Sequence, residues 1–300
     1  MYRSRDYPSL FNPIREMNQI MQNEQKTWGD QIPILRDHAS RLLSLADNIV
    51  SAHIEPYNEK DFLGMMIDMF MHKIMDHLTS ICILVDAGQY HDATIIARSS
   101  YESMGLLLWS ANGLDSNLRD SRPFQWFAYE YIDRYYQMEQ YHQLGIEPDP
   151  KTEKEIRQGV QEYADLFLTN KANEAIKQGK APKKRLFKDR IKFGNILNDL
   201  KENGLIDREA HQRYAMLSQW PHGTSQGMGI VFCIDGNRIS RDKATCKSLG
   251  ADAIIIGIRS LGDTAFLFND HFSLNFHKKL EESHKSFSKY LQNINAEGLF

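Results

Sequence analysis

Apolar positions recur along most of this chain at the three-and-four spacing that gathers them on one face of a helix. The pattern predicts helices over residues 14–27, 34–53, 60–87, 90–112, 122–143, 151–178, 189–203, 207–219, 250–268 and 271–294. In the second of these, Leu35, Leu42, Leu43, Leu45, Ile49 and Val50 form the apolar face. Gly88 and Gly113 stand where the third and fourth patterns stop, and Gly88 reads as a C-cap. One stretch departs from the helical period. Ile230 to Ser240 places a β-rich run before Asp235, Gly236 and Asn237 and another apolar residue after them, a hairpin signal. The expected fold is all-α: a helical bundle with a small β-hairpin near residues 230–240. Residues 1–30 are expected to form an N-terminal arm or helix. Residues 31–295 are expected to form a single helical domain with a charged excursion at about 150–190, which ends in the linker-like run Gln178 to Lys188.

The segment Asp92 to Trp109 stands out. Ile95, Ile96, Ala97, Tyr101, Met104, Leu106, Leu107, Leu108 and Trp109 spread around its whole circumference, and a helix apolar all round is normally buried. Arg98 and Glu102 nevertheless sit in it one turn apart, with His91 on the same stripe. Burying charge is costly unless it is paired. The order Arg then Glu is the weaker one for reinforcing a helix. The pair is therefore either an ion pair that fixes helix register or an anion-handling arginine oriented by a carboxylate.

Composition narrows the function classes. The chain has 300 residues, 25% of them charged, and a formal net charge of -3, so no global basic field points to nucleic acid. The three cysteines, Cys82, Cys233 and Cys246, are widely spaced and form no C-x-x-C, which fits a reducing cytoplasm. The N-terminal segment lacks the apolar core of a signal peptide. The run Leu249 to Phe268 is interrupted by Asp252, Arg259 and Asp263, so a buried core helix is expected there and no membrane span. Phosphate-binding, dinucleotide, zincin and α/β-hydrolase motifs are all absent from the sequence.

Four further constellations carry candidate chemistry. Leu217 to Met228 ends a helix in a Trp-Pro-His-Gly turn that brings Ser218 close to His222; His222 is either a cap for the last carbonyls or an acid–base group. Arg213, about one turn earlier, is a second arginine candidate near His222. Asp61, Asp68, His72, Asp76 and Thr79 make a polar stripe that reads as a solvated helix face, so no metal and no cofactor are expected. Lys180, Lys183, Lys184, Arg185, Lys188, Arg190 and Lys192 form a basic run beside Phe187 and Phe193, either a solvated loop or a phosphate-backbone contact. Phe124, Trp126, Phe127, Tyr129, Tyr131, Tyr135 and Tyr136 crowd one helix and suit a core, a subunit interface or a stacking platform.

Two ordered motifs carry a resemblance. G-x-x-x-D-A-x-x-x-x-R-S-x-x-E over Gly88 to Glu102, followed by Y-x-x-L-S-x-x-x-H-G over Tyr214 to Gly223, resembles a bacterial all-helical family, the domain of unknown function five-six-seven-seven, across roughly residues 35–285. That family in turn resembles the HEPN helical bundles of prokaryotic toxins, ribonucleases and phage-defence proteins. HEPN ribonucleases carry a compact Arg–His pair at a helix end facing a dimer partner, and no such pair occurs here: Arg208 and His211 are too close, Arg213 and His222 too far apart, and Arg134 and His142 miss by one residue. The resemblance implies an effector of bacterial defence or toxin–antitoxin type that acts on RNA or a nucleotide, with ribonuclease activity as one form of it. Arg98, Glu102, His222 and Ser218 would be its catalytic set, and Lys183, Lys184, Arg185, Lys188, Arg190 and Lys192 would guide nucleic acid. A homodimer through helical faces, or a protein from the same operon, would be its partner. The alternative is a non-catalytic sensor, antitoxin-like or scaffold subunit in which the same residues set the packing.

Overall fold

A computed structural model describes residues 29–53, 58–167, 174, 178, 193–206, 208–218, 232–235, 238–241 and 243–296, with the side chains of 193–195, 232–244 and 295–296 outside the description. The chain is mainly helical. Its α-helices are α1 (Ile32–Ala52), α2 (Phe62–Asp86), α3 (Tyr90–Ala111), α4 (Arg122–Gln143), α5 (Pro150–Glu162), α6 (Ala164–Phe167), α7 (Phe193–Glu202), α8 (Arg208–Leu217), α9 (Lys243–His271) and α10 (His277–Ala296). Strands β1 (Phe232–Asp235) and β2 (Arg238–Arg241) pair antiparallel, with Ile234 opposite Ile239. The chain divides into two compact units, one of residues 1–57, 67–108 and 200–300 and one of residues 58–66 and 109–199. The described start of the expected charged excursion, residues 150–167, falls in the second unit. The expected arm at 1–30 and the basic run at 180–192 lie outside the described residues, Gly29 and Asp30 excepted.

The first unit is organised around α9, which packs along α1, α8 and α10. Helix α1 carries Pro33 in its first turn, where the missing N–H costs nothing, and buries Leu35, Ala39, Leu42, Ala46 and Ile49 on one face. In α9 the run Ala251, Ala253, Ile254, Ile255 and Ile256 has no exposure at all. Each such isoleucine contributes about 1.5–3 kcal/mol by leaving water. Gly257 is a point of close approach: a Cβ there would lie 2.8 Å from Leu78 Cδ1 and 3.1 Å from Ile81 Cδ1, so α9 lies against α2 nearly backbone to side chain. The stretch 249–268 is thus inside a core helix, and no helix among the described residues is long and apolar enough to cross a membrane.

Between α2 and α3, Gly88 takes φ +72°, Gly88 N–H donates to Val85 O at 3.0 Å and Gln89 N–H donates to Leu84 O at 2.8 Å. This is a Schellman ending, which satisfies carbonyls that the helix leaves open. The expected break before the last helix falls later than the sequence pattern suggests. Helix α9 runs to His271, and Asn269 then accepts Phe276 N–H on Oδ1 at 2.9 Å and Leu274 N–H on its backbone oxygen at 2.8 Å.

In the second unit, Asp149 caps α5 by accepting Thr152 N–H at 2.9 Å. Helix α4 buries Ala128, Ile132, Tyr135 and Met138 against Ile156 and Val160 of α5 and against Ala164, Leu166 and Phe167. Gly159 lets the Tyr131 ring lie flat on α5, since a Cβ there would fall 2.2 Å from Tyr131 Cδ1. The aromatic crowding has a core role here. Tyr129 meets Phe167 edge-on at 5.2 Å, Tyr131 meets Tyr163 at 5.6 Å, and Phe124 meets Phe62 at 5.2 Å.

Candidate functional site

Helix α3 is not sealed on all sides. Ala93, Ala97, Tyr101, Met104 and Leu107 form its buried stripe, whereas Ile95 is 42% exposed and Arg98 and Glu102 lie on a partly open face. The Arg98 and Glu102 side chains keep 23% and 30% of their surface in solvent. The expectation of a fully buried charge pair is therefore corrected. Apolar residues exceed what the core stripe can hold, and those in excess are left half-covered on the same side as the charges. His91 is buried, with Nε2 3.6 Å from Cys246 Sγ.

Sequence-distant residues meet at Glu102. Its Oε1 accepts Arg98 Nε–H at 2.8 Å and the Tyr214 hydroxyl at 2.9 Å. Ser218 Oγ donates to the Tyr214 backbone oxygen at 2.8 Å. The Tyr214 ring stacks on Tyr101, with centroids 5.0 Å apart and planes 27° apart. Two of the four expected catalytic residues, Arg98 and Glu102, thus share one hydrogen-bonded chain with the Tyr214 phenol, and a third, Ser218, bonds the backbone of the same tyrosine. The fourth, His222, lies outside the described residues, as do Lys183, Lys184, Arg185, Lys188, Arg190 and Lys192. Burial opposes the Arg98 charge, but the Glu102 hydrogen bond and charge outweigh it and hold the guanidinium above its ordinary pKa. Burial, then the bond to Glu102, push the Tyr214 phenol up, against the pull of Ser218 and Arg98.

A second polar chain runs from α8 into α9. Arg213, only 8% exposed, donates to Glu209 Oε1 through Nη2 at 3.0 Å and Nε at 3.2 Å, and pairs with buried Asp252 through Nη1. Glu209 Oε2 lies 3.7 Å from Arg259 Nη2. Arg213 is therefore committed to a buried network rather than held as a spare arginine for His222. Arg259 leads to Asp263, one turn further along α9. Withdrawal from water lowers the Arg259 pKa, with Asp263 and Tyr101 opposing, and raises Asp263 to about 6 against the pull of Arg259.

Arg259 and Asp263 line a cleft of about 410 Å³ together with Tyr101, Phe266, His284 and Phe287. Tyr101 has no exposed surface, and its hydroxyl is buried with no hydrogen-bond partner. Burial, then the charge of Asp263, raise its pKa, while Arg259 lowers it. Sequence reading did not select these residues as a site. The signal was present, since Asp252, Arg259 and Asp263 interrupt an otherwise apolar helix just as Arg98 and Glu102 do. On the long helix, His72 Nε2 stands 3.7 Å from Asp68 with 57% of its side chain exposed, and among the described residues no group of three or more His, Cys, Asp or Glu is placed to hold a metal ion.

A family model described as "Family of unknown function (DUF5677)" matches residues 66–237, more than half of the chain. The match spans Arg98, Glu102, Arg213, Tyr214, Ser218 and His222 and stops before Arg259, Asp263 and His284. No curated protein and no solved structure matches the chain.

Proposed function

We propose that this chain, which belongs to the family of unknown function (DUF5677), is a HEPN-like helical effector that acts on RNA or a nucleotide in bacterial defence or a toxin–antitoxin pair. The observation that carries this reading is the double use of Glu102 Oε1. It accepts from both Arg98 Nε and the Tyr214 hydroxyl, and so fixes a guanidinium whose side chain stays 23% open to solvent. A guanidinium held in place on an accessible face suits phosphate recognition, because its planar fork matches phosphate oxygens and little freedom is lost on binding. In this proposal Arg98 contacts phosphate, Glu102 orients Arg98, and Ser218 supports the Tyr214 end of the chain. His222, four residues beyond Ser218, serves as acid or base. The basic residues Lys183, Lys184, Arg185, Lys188, Arg190 and Lys192 guide the nucleic acid. The site of action is the cytoplasm, and the partner is a second copy of the chain or a protein from the same operon.

A second reading is a non-catalytic sensor, antitoxin-like or scaffold subunit. It is favoured by the buried contacts of Arg213 with Glu209 and Asp252, which commit charged residues of α8 to packing. Induced expression of the wild type beside Arg98→Ala and His222→Ala separates the two. The effector reading predicts growth arrest with altered cellular RNA or nucleotide pools for the wild type and relief by both variants, each accumulating as a folded protein. Equal growth of all three with intact RNA and unchanged pools rejects it in favour of the second.

A further inference from the structure

We infer that the cleft lined by Tyr101, Met104, Gly262 and Phe287 binds a small, mainly apolar molecule of the aryl-ketone kind, whose oxygen accepts a hydrogen bond from the Tyr101 hydroxyl. The inference goes beyond the reading of Arg98 and does not rest on it. The cleft, at about 410 Å³, is of the size that holds small molecules. Leu42, Met104, Ile258, Leu280 and Phe287 line it and are all buried, whereas Leu205 and His284 line it from exposed positions. The cleft therefore has an apolar interior and a side that meets solvent. An apolar body that enters leaves water for contact with these side chains, which is the usual driving force at such a site. The rings of Phe266 and Phe287 on its wall favour a flat aromatic body.

One polar group on this wall lacks a partner, and it sets what the ligand must carry. Tyr101 has no exposed surface, and its hydroxyl is buried with no hydrogen-bond partner. Tyr214 covers one face of the Tyr101 ring, with centroids 5.0 Å apart. The hydroxyl is felt electrostatically by Asp263 and by Arg259, and both of these line the cleft, which puts the phenol oxygen on the cleft side of the ring. Burial and then the charge of Asp263 hold the proton on that oxygen, against the pull of Arg259, so the group acts as a donor at neutral pH. A buried donor with no acceptor is costly, and a ligand oxygen at the inner end of the cleft removes that cost. A ketone supplies the acceptor and brings no donor of its own that the apolar interior would leave unpaired.

Two substitutions separate the cavity from its donor. Gly262 lines the cleft, and a Cβ there would meet nothing within 4 Å, so a larger side chain has room to enter the cleft. Tyr101→Phe removes the hydroxyl and keeps the ring. Ligand-observed NMR titrations of the purified full chain at pH 7.5 would use acetophenone and α-methylstyrene, which has nearly the same shape with a methylene group in place of the carbonyl oxygen. The wild type should bind acetophenone saturably. The ratio of its affinities for acetophenone and α-methylstyrene should fall at least fivefold in Tyr101→Phe, which loses one hydrogen bond to the ketone and none to the hydrocarbon. Tyr101→Phe should also melt no lower than the wild type, because it removes a hydroxyl that the unliganded protein leaves unpaired. Gly262→Leu should abolish acetophenone binding while its circular dichroism stays native-like. Absence of acetophenone binding by the wild type, an unchanged affinity ratio in Tyr101→Phe, or undiminished binding by folded Gly262→Leu overturns the assignment. So does failure of Tyr101→Phe to fold, since the hydroxyl would then be committed to the fold. If Gly262→Leu does not fold, Tyr101→Phe and the probe pair decide the matter alone.

Discussion

Replacing Asp263 by asparagine should change how the stability of this protein depends on pH, and by an amount that the structure sets. The carboxyl group titrates near 3.8 when solvated and is raised to about 6 in the fold, because withdrawal from water outweighs the attraction of Arg259. Below pH 4 the group is protonated in both the folded and unfolded states and contributes no difference. Between pH 4 and 6 the unfolded chain has released the proton while the folded chain still holds it. The folded state then binds more protons, so stability falls as pH rises. Above about pH 6 the loss is complete. The interval from 3.8 to about 6 converts to about 3 kcal/mol at about 1.36 kcal/mol per pKa unit. This is an upper value, since Asp263 keeps some contact with solvent. Asparagine does not titrate. The stability of the wild type minus that of Asp263→Asn should therefore drop by about 2–3 kcal/mol from pH 4 to pH 7. Urea unfolding at half-unit pH intervals measures it, and groups common to both proteins cancel. Arg259 and Tyr101 do not titrate in this window, and the imidazole of His284 lines the same cleft. Repeating the pair in a His284→Gln background removes its influence. A difference flat to within about 0.5 kcal/mol across the range would refute the assignment of a withdrawn, proton-holding carboxyl at this position.

Other outcomes follow from the packing. Arg213→Ala should destabilise the first unit by about 3–5 kcal/mol, read by urea unfolding, because it leaves Asp252 buried without its guanidinium; Arg213→Met together with Asp252→Leu should recover most of that loss. Gly88→Ala should cost about 1 kcal/mol, since φ +72° is strained for any residue with a Cβ; a neutral effect would mean that the Schellman ending is not kept in solution. Gly159→Ala should cost about 1–3 kcal/mol and lower the melting temperature by displacing the Tyr131 ring from α5.

The fold was legible where local rules act alone. The three-and-four spacing placed α1, α2, α3, α4 and α8 within a few residues, and Gly88 marked its helix end because a left-handed cap depends on one residue and its immediate neighbours. Helix α9 begins seven residues before the pattern that announced it, because Lys243 to Ser248 carry too few apolar side chains to register as a face. The candidate site was half legible. Arg98 and Glu102 were visible as charge in an apolar helix, but their exposure depends on which face the neighbouring helices cover. Tyr214 was part of a motif without a role, since a contact across 112 positions cannot be read from spacing. Asp263 and Arg259 were visible only as interruptions of a hydrophobic run. The same reasoning that singled out Arg98 applies to them, and what made them a site is the cleft, which belongs to tertiary packing.

The central claim is that Arg98 is held by Glu102 to meet phosphate. Fluorescence anisotropy of an end-labelled single-stranded RNA and of a labelled guanine nucleotide, titrated with the purified full chain and with Arg98→Ala at matched ionic strength, tests it directly. The account predicts that the wild type binds at least one of the two ligands and that folded Arg98→Ala binds it at least tenfold more weakly, a loss of about 1.4 kcal/mol or more. Equal affinity of the two proteins, or no binding by the wild type to either ligand, would contradict it.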